Sequence, residues 1–320
     1  MEVLKQRILN TINKYSMIPE GSTVVAAVSG GYDSLCMLHV LCSLRRLRKF
    51  EVCAAHVNHS FREEADGDEM FVLSEAERLG IKAYAVKYDV ENYANENKIS
   101  FETAGRILRY KFFEEVSLNY EKSLIATAHN ANDSAESMLM HLMRGCGLTG
   151  LIGIRPVSGK IIRPLIETDR SEIENYCKNH NLVPREDCTN ASDEYSRNDV
   201  RHNILAPLLE RCSIETLVRT MNILADDDKF LNEYSMSMSY RYIKKRNNIN
   251  TIPVKEFNLL PTSIKRRILR IALGETGGEK QIGLFHIDEI LNMASKNHGG
   301  KYIELPGGRI VKLEKGELII

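Results

Sequence analysis

Four short apolar runs, Thr23–Val28, Val52–Val57, Ala83–Tyr88 and Leu124–Ala128, alternate with longer segments of helical periodicity at Leu35–Leu47, Glu64–Leu79 and Phe101–Leu118. Unbroken apolar runs of this length, rich in β-branched residues and alanine, are the pattern of strands buried on both faces. Each intervening segment is long enough for a right-handed crossover, so the strands are expected to run parallel. The alternation predicts an α/β fold, a doubly wound and mainly parallel sheet with helices on its faces. Ligands in such sheets bind beyond the C-terminal ends of strands, which singles out the residues after Val28, Val57 and Ala128.

A further helix is expected over Asp133–Met143, then a glycine-rich turn, an extended Ile161-Ile162-Arg163-Pro164-Leu165 and a helix over Arg170–Asn179. Beyond Pro207 the pattern becomes mainly helical, with candidates at Ile214–Ala225, Asp228–Lys245 and Thr262–Leu273. Tyr302–Leu305 and Arg309–Leu313, joined through Pro306-Gly307-Gly308, read as a terminal β-hairpin. At 320 residues the chain is long enough for two domains. We expect a first domain over residues 1–207 and a smaller, mainly helical one over 208–320.

The net charge is zero, but residues 1–210 carry 25 basic against 30 acidic side chains, whereas residues 211–320 carry 18 against 13. The basic C-terminal part concentrates charge at Lys244-Lys245-Arg246 and at Lys265-Arg266-Arg267, a distribution suited either to phosphate contact or to a solvated helix face. No window approaches a membrane span and the first ten residues lack a signal-peptide core, so a cytoplasmic protein is expected. Seven cysteines without a C-x-x-C pair fit a reducing compartment and supply no zinc or iron–sulfur spacing.

Directly after the first strand stands Ser29-Gly30-Gly31-Tyr32-Asp33-Ser34, and a helix follows at once. Two glycines allow close approach of the backbone to an anion, and the helix N-terminus directs unpaired N–H groups at it. Asp33 beside a phosphate requires a bridging cation, which implies Mg²⁺. A capped tight turn would use the same residue types. No Gly-Lys-Ser/Thr follows, so kinase-like transfer of the γ-phosphoryl group is disfavoured. The run Gly145–Gly150 spells G-x-G-x-x-G but follows a helical stretch, so it reads as a helix stop rather than a dinucleotide site.

After the second strand comes His56-Val57-Asn58-His59-Ser60-Phe61-Arg62, and after the fourth His129-Asn130-Ala131-Asn132-Asp133-Ser134. Asp133 with Glu136 would also make a capping box. These phrases, with S-G-G-Y-D-S at 29–34, the stretch Glu102–Tyr110, and T-A-H-N-A-N-D-S-A-E-S at 127–137, resemble the tRNA(Ile)-lysidine synthetases of the PP-loop ATP pyrophosphatase superfamily. The resemblance continues through residues 143–154, I-R-P-L at 162–165, E-D-C-T-N at 186–190 and 197–207, and the segment ending Leu305-Pro306-Gly307-Gly308 is similar to the family's first C-terminal domain. The family usually carries His-His-Ala-Asp-Asp where this chain has residues 129–133, so one carboxylate is replaced by Asn132. A glycine of the family is replaced by Ser60.

The resemblance implies a cytoplasmic ligase that cleaves ATP between its α and β phosphates and joins L-lysine to the wobble cytosine of a tRNA(Ile) with a CAU anticodon. It implies ATP and Mg²⁺ at Ser29, Gly30, Gly31, Asp33 and Ser34, with Asp33 on the metal and His56 and Asn58 at the adenosine end. Asp133 is the expected catalytic carboxylate, and Arg106 or Arg109 the cation that meets developing negative charge. Arg144, Asn198 and Arg201 are expected to hold substrate or tRNA, and Lys265, Arg266 and Arg267 to grip tRNA phosphates. The oligomeric state, a homodimer among the options, is left open by the sequence. A tRNA thiolase of the same fold would normally need paired cysteines, a synthetase of the NAD or GMP type a glutaminase partner domain, and a binding module that has lost catalysis would not need Asp33, Ser34 and Asp133 together.

Overall fold

The structure, a computed structural model, describes residues 2–58, 65–185, 197–246, 249–274, 282–296 and 299–320. Two compact units are formed, Met1–Leu224 and Ala225–Ile320. In the first, helix α1 (Val3–Lys14) precedes β1 (Thr23–Ala27), α2 (Tyr32–Arg48), β2 (Glu51–Asn58), α3 (Ala65–Arg78) and β3 (Lys82–Lys87). Then come α4 (Val90–Asn97), α5 (Phe101–Ser117), β4 (Ser123–Ala126), α6 (Ala131–Met143) and the short α7 (Leu148–Leu151). Two-residue strands β5 (Val157–Ser158) and β6 (Ile161–Ile162) lead to α8 (Arg170–Asn179).

The six strands lie in the order β3-β2-β1-β4-β6-β5. All neighbours pair in parallel except β5, which runs antiparallel to β6. Val24, Val25 and Ala26 of β1 are fully buried, as a strand covered by helices on both sides must be. From β1 the chain steps outward through β2 to β3, then crosses back to place β4 on the other side. The switch point therefore lies between β1 and β4, where a doubly wound sheet opens a crevice at its C-terminal edge.

Residues 197–209 form one helical run, α9 (Arg197–Asp199), a π-helical turn (Val200–Leu205) and α10 (Ala206–Leu209). Val200 and Leu205 both pack with Ala131, Ala135 and Leu139 of α6. Five residues apart, they would point about 140° away from each other on an α-helix. The wider i→i+5 winding returns both to the same face.

The expected helices at Ile214–Ala225 and Asp228–Lys245 are one helix, α11 (Ile214–Tyr242). The run Asp226-Asp227-Asp228 does not break it, because aspartate in a helix interior costs only about 0.7 kcal/mol relative to alanine and Asp228 is ion-paired to Arg267 at 3.1 Å. The second unit continues with β7 (Lys244–Arg246), β8 (Ile249–Pro253), α12 (Val254–Phe257), α13 (Thr262–Ala272), α14 (Leu284–Lys296), β9 (Lys301–Leu305), β10 (Arg309–Glu314) and β11 (Glu317–Ile319). The expected hairpin is the β9–β10 pair, and it belongs to a five-stranded antiparallel sheet ordered β7-β8-β11-β10-β9. Ile252, Phe257, Ile268, Ile287 and Leu313 form the core between that sheet and α13 and α14. No described helix is long and apolar enough to cross a membrane.

Candidate active site

The loop after β1 is closed by its own hydroxyls. Ser34 Oγ accepts from the backbone N–H of Ser29 and of Gly30, each at 3.2 Å, and donates to Gly31 O at 3.0 Å. Gly30 has φ +97°, a conformation that side-chain-bearing residues rarely adopt. Gly31 is the N-cap of α2 and gives it no side-chain cap, so the first turn keeps unpaired N–H groups that suit an anion.

Across the switch point, Asn130 joins this loop to α6. Its Nδ2 donates to Asp33 Oδ1 at 3.0 Å, while its Oδ1 accepts from the Asp133 N–H at 3.0 Å. Asp133 Oδ2 in turn accepts from the Asn130 N–H at 3.0 Å. The capping box of α6 is thus Asn130 with Asp133, not the expected Asp133 with Glu136. The helix begins two residues earlier than the pattern suggested, which moves Asp133 from the cap to its third residue. Asn132, one of the chain's departures from the family pattern, has a defined partner, since its Oδ1 accepts from the Arg170 N–H at the start of α8 at 3.0 Å, whereas Ser60 lies outside the described residues.

Burial pushes the Asp33 carboxyl above the ordinary carboxylate range, opposed by the Asn130 hydrogen bond and reinforced by the charge of Asp133. Asp33 and Asp133, linked through Asn130, repel each other, and a cation between them would relieve what Arg170 and Arg201 nearby do not. Among the described residues no group of three or more His, Cys, Asp or Glu side chains could hold a metal by itself. That combination fits Mg²⁺, which is commonly bound through one or two carboxylates together with substrate phosphates and water.

Glu136, freed from capping, has a side chain only 1% exposed. Arg201 grips it with Nε at 2.6 Å and a second nitrogen at 3.3 Å, and Arg197 adds Nε at 3.2 Å. Arg201 also lies 3.9 Å from Asp133 Oδ1, so it ties the buried carboxylate to the expected catalytic one. Asn198, half-buried, sits beside Arg197. Sequence reasoning missed Glu136 and Arg197 as parts of this network. Their signal was the i, i+3 spacing of Asp133 and Glu136 and the i, i+4 spacing of Arg197 and Arg201, which put each pair on one helix face.

His56 and Asn58 close the other side of the crevice and are both buried. His56 Nδ1 is 2.8 Å from Val28 O, which can only accept, so the ring proton sits on Nδ1. In the neutral ring Nε2 is then an acceptor, and it is buried without a hydrogen-bond partner among the described residues. The amide nitrogen of Asn58 is occupied by Asp66 at 2.9 Å and Glu69 at 3.1 Å, which ties the end of β2 to α3.

Arg106 and Arg109 are exposed on α5, one turn apart, and Arg106 stacks over the Tyr110 ring at 5.1 Å. His129 Nδ1 lies 3.0 Å from Thr127 Oγ1. Burial pushes the His129 imidazole down to about 4, against the pull of Asp133 and with the help of Arg163, Arg197 and Arg106. Its folded value lies below its ordinary 6.5, so the unfolded chain binds the proton more readily between those limits. Stability present above pH 6.5 is lost as the pH falls toward 4. Urea unfolding is therefore expected to show a shallower loss over that window for His129→Asn than for the unaltered chain, and equal slopes would remove His129 from this account.

Arg144 ends α6 and is exposed, followed by Gly145 at φ +74°, which places G-x-G-x-x-G after a helix as expected. In the second unit Arg266 is bidentate to Asp288 at 2.9 and 3.1 Å, and Arg267 is held by Asp228 and Asn232, each at 3.1 Å. Two of the three charges expected to face phosphate are thus neutralised within the unit. Lys265 is half-exposed, and Lys244 and Lys245 are exposed on the edge strand β7. Cys36 and Cys177 meet beneath α2, where donation to Cys177 and burial raise the Cys36 thiol, and both are fully buried. Cys188 and His59 lie outside the described residues.

Residues 1–208 match the family model of the PP-loop domain. A tRNA(Ile)-lysidine synthase from Clostridium acetobutylicum is 42% identical over 306 residues, covering 93% of this chain and 66% of that protein. One from Clostridium perfringens is 40% identical over 324 residues, covering 99% and 68%. The chain therefore spans about two thirds of the length of these relatives. Among solved structures, the U34-tRNA thiolase NcsA from Methanococcus maripaludis superimposes with a TM-score of 0.56 at 20% identity, covering 69% of this chain and 77% of that one, a likeness of fold. With the loop after β1, the carboxylates after β4 and this similarity over nearly its whole length, the chain belongs to the PP-loop family and, within it, to the tRNA(Ile)-lysidine synthases.

Proposed function

We propose that this chain uses ATP to attach L-lysine to C2 of the wobble cytosine in a tRNA(Ile) with a CAU anticodon, with residues 1–207 as the catalytic part and 208–320 as the tRNA-binding part. The observation that carries the reading is the bridge from Asp33 through Asn130 to Asp133, which couples a phosphate-binding loop to a carboxylate at the switch point.

The cytosine C2 carbonyl is a poor electrophile. Its oxygen attacks the ATP α-phosphorus, pyrophosphate leaves, and the resulting O-adenylyl group makes C2 open to attack. The lysine ε-amine then bonds to C2 and AMP departs with the C2 oxygen. The amine attacks only after losing its proton, and Asp133 is the carboxylate assigned to receive it. The N–H groups of Ser29 and Gly30 exchange Ser34 Oγ for phosphate oxygens, and Asp33, one of whose oxygens is not taken by Asn130, would hold Mg²⁺. When bound, the ion neutralises triphosphate charge. The unused Nε2 of His56 supports its assignment to the adenosine end, where it would accept from an amino group. Arg106 or Arg109 meets the developing negative charge, and Arg144, Asn198 and Arg201 hold substrate or the anticodon, whose target base must be splayed out to be read. Lys244, Lys245 and Lys265 supply phosphate contacts, and Arg266 and Arg267 add those that their remaining N–H groups, beyond Asp288, Asp228 and Asn232, allow. The protein is assigned to the cytoplasm.

The test is release of labelled pyrophosphate from ATP with CAU-anticodon tRNA(Ile), with and without lysine, against a methionine tRNA of the same anticodon. Release with the isoleucine tRNA alone, and lysine-dependent modified product, are expected. No release with any tRNA would leave a binding module without catalysis.

A further inference from the structure

Arg163 is buried to within 7% of full coverage and has no carboxylate partner among the described residues. One terminal nitrogen donates to Arg155 O at 2.6 Å, and Tyr110 provides a hydroxyl. Among the described residues the Nε–H meets no acceptor. A guanidinium stays charged at any physiological pH, and an enclosed charge lacking a counter-ion costs several kcal/mol. The surroundings aggravate the imbalance. Arg106 is close enough for its charge to be felt at Arg163, and both act on His129 as cations.

The position of this imbalance is informative. Thr127 N donates to Ile162 O at 3.0 Å, so Arg163 emerges from β6 beside the Thr127–His129 segment of β4. Along the C-terminal edge of the sheet the order is then phosphate loop on β1, Asp133 segment on β4, and Arg163 on β6. The ATP phosphates have their cradle two strands away. An amino acid whose side-chain amine reacts beside Asp133 carries its α-carboxylate at the far end of an aliphatic stem, and that group needs a partner in a place where water is scarce. A guanidinium, planar and weakly hydrated, matches a carboxylate better than any other cationic side chain does.

We propose that Arg163, with Arg106 beside it, recognises the α-carboxylate of the amino-acid substrate and so distinguishes an amino acid from a simple amine. This rests on the reading of a free amino acid as co-substrate. Arg163 is a specificity-determining residue here, and it takes no part in the transfer of the adenylyl group.

The experiment compares L-lysine with cadaverine, the same amine without the carboxylate, in the modification of CAU-anticodon tRNA(Ile). The unaltered chain is expected to favour lysine in kcat/KM, and Arg163→Gln to lose about 30-fold of that preference, mainly through KM for lysine. Arg163→Lys, which keeps the charge without the planar fork, is expected to fall between the two, and it carries the test if the glutamine variant does not fold. A preference unchanged in the lysine variant, or equal use of lysine and cadaverine by the unaltered chain, overturns the proposal. A rise in KM for tRNA that is the same with either amine would assign Arg163 to an anticodon phosphate and also overturn it. If the unaltered chain releases pyrophosphate but modifies tRNA with neither amine, the co-substrate reading itself has failed, an outcome distinct from a retained preference.

Discussion

Asp133→Asn is expected to lower formation of modified tRNA by at least ~100-fold while the affinity for ATP stays within a few-fold of the unaltered chain. The substitution removes charge and little else. An asparagine oxygen still accepts the Asn130 N–H that Asp133 Oδ2 now accepts at 3.0 Å, and the Asp133 backbone still donates to Asn130 Oδ1, so the start of α6 keeps its cap. The loop at 29–34 and its bridge from Asn130 to Asp33 are untouched. What disappears is the group assigned to take the proton from the attacking amine. Single-turnover formation of product, measured beside nucleotide binding, separates the two effects. An Asn variant that modifies tRNA at an ordinary rate would remove Asp133 from the mechanism.

Arg201→Ala is expected to destabilise the first unit by about 3 kcal/mol, visible as a lowered urea midpoint. Glu136 is 1% exposed, and among the described residues Arg201 provides two of its three ion-pair contacts, with Arg197 at 3.2 Å the third. Removing one partner from a buried pair leaves charge without compensation, and that residue of charge, rather than the value of the pair, sets the loss. The double variant Glu136→Gln with Arg201→Ala should therefore be more stable than Arg201→Ala alone, a coupling that a double-mutant cycle measures. A loss under about 1 kcal/mol would mean that Glu136 is as well solvated as a surface carboxylate.

The parallel strands were legible because burial on both faces writes itself into sequence as unbroken apolar runs. The helix Arg170–Asn179 has the bounds its periodicity suggests, and Asp169 caps it. Helix α1 went unread although Leu4, Ile8 and Ile12 repeat every four residues and are buried. The phosphate loop was read locally, since all its residues are adjacent. The bridge between Asn130 and Asp33 spans 97 positions and the pair of Arg201 with Glu136 spans 65, so neither could be seen without the topology that brings them together. Charge runs mislead for the same reason. Lys265-Arg266-Arg267 looks like a free basic face until Asp228 and Asp288, distant in sequence, are found against it.

The π-helical turn at Val200–Leu205 holds one residue more than an ordinary helical turn would. Deleting a residue between Arg201 and Leu205 would leave Val200 and Leu205 four positions apart, about 40° on an α-helix, so both would still face α6 with better backbone hydrogen bonding. Arg197 and Arg201 precede the deletion and would keep their hold on Glu136. The turn therefore reads as the scar of a one-residue insertion, and a relative shorter by that residue can keep the same buried face.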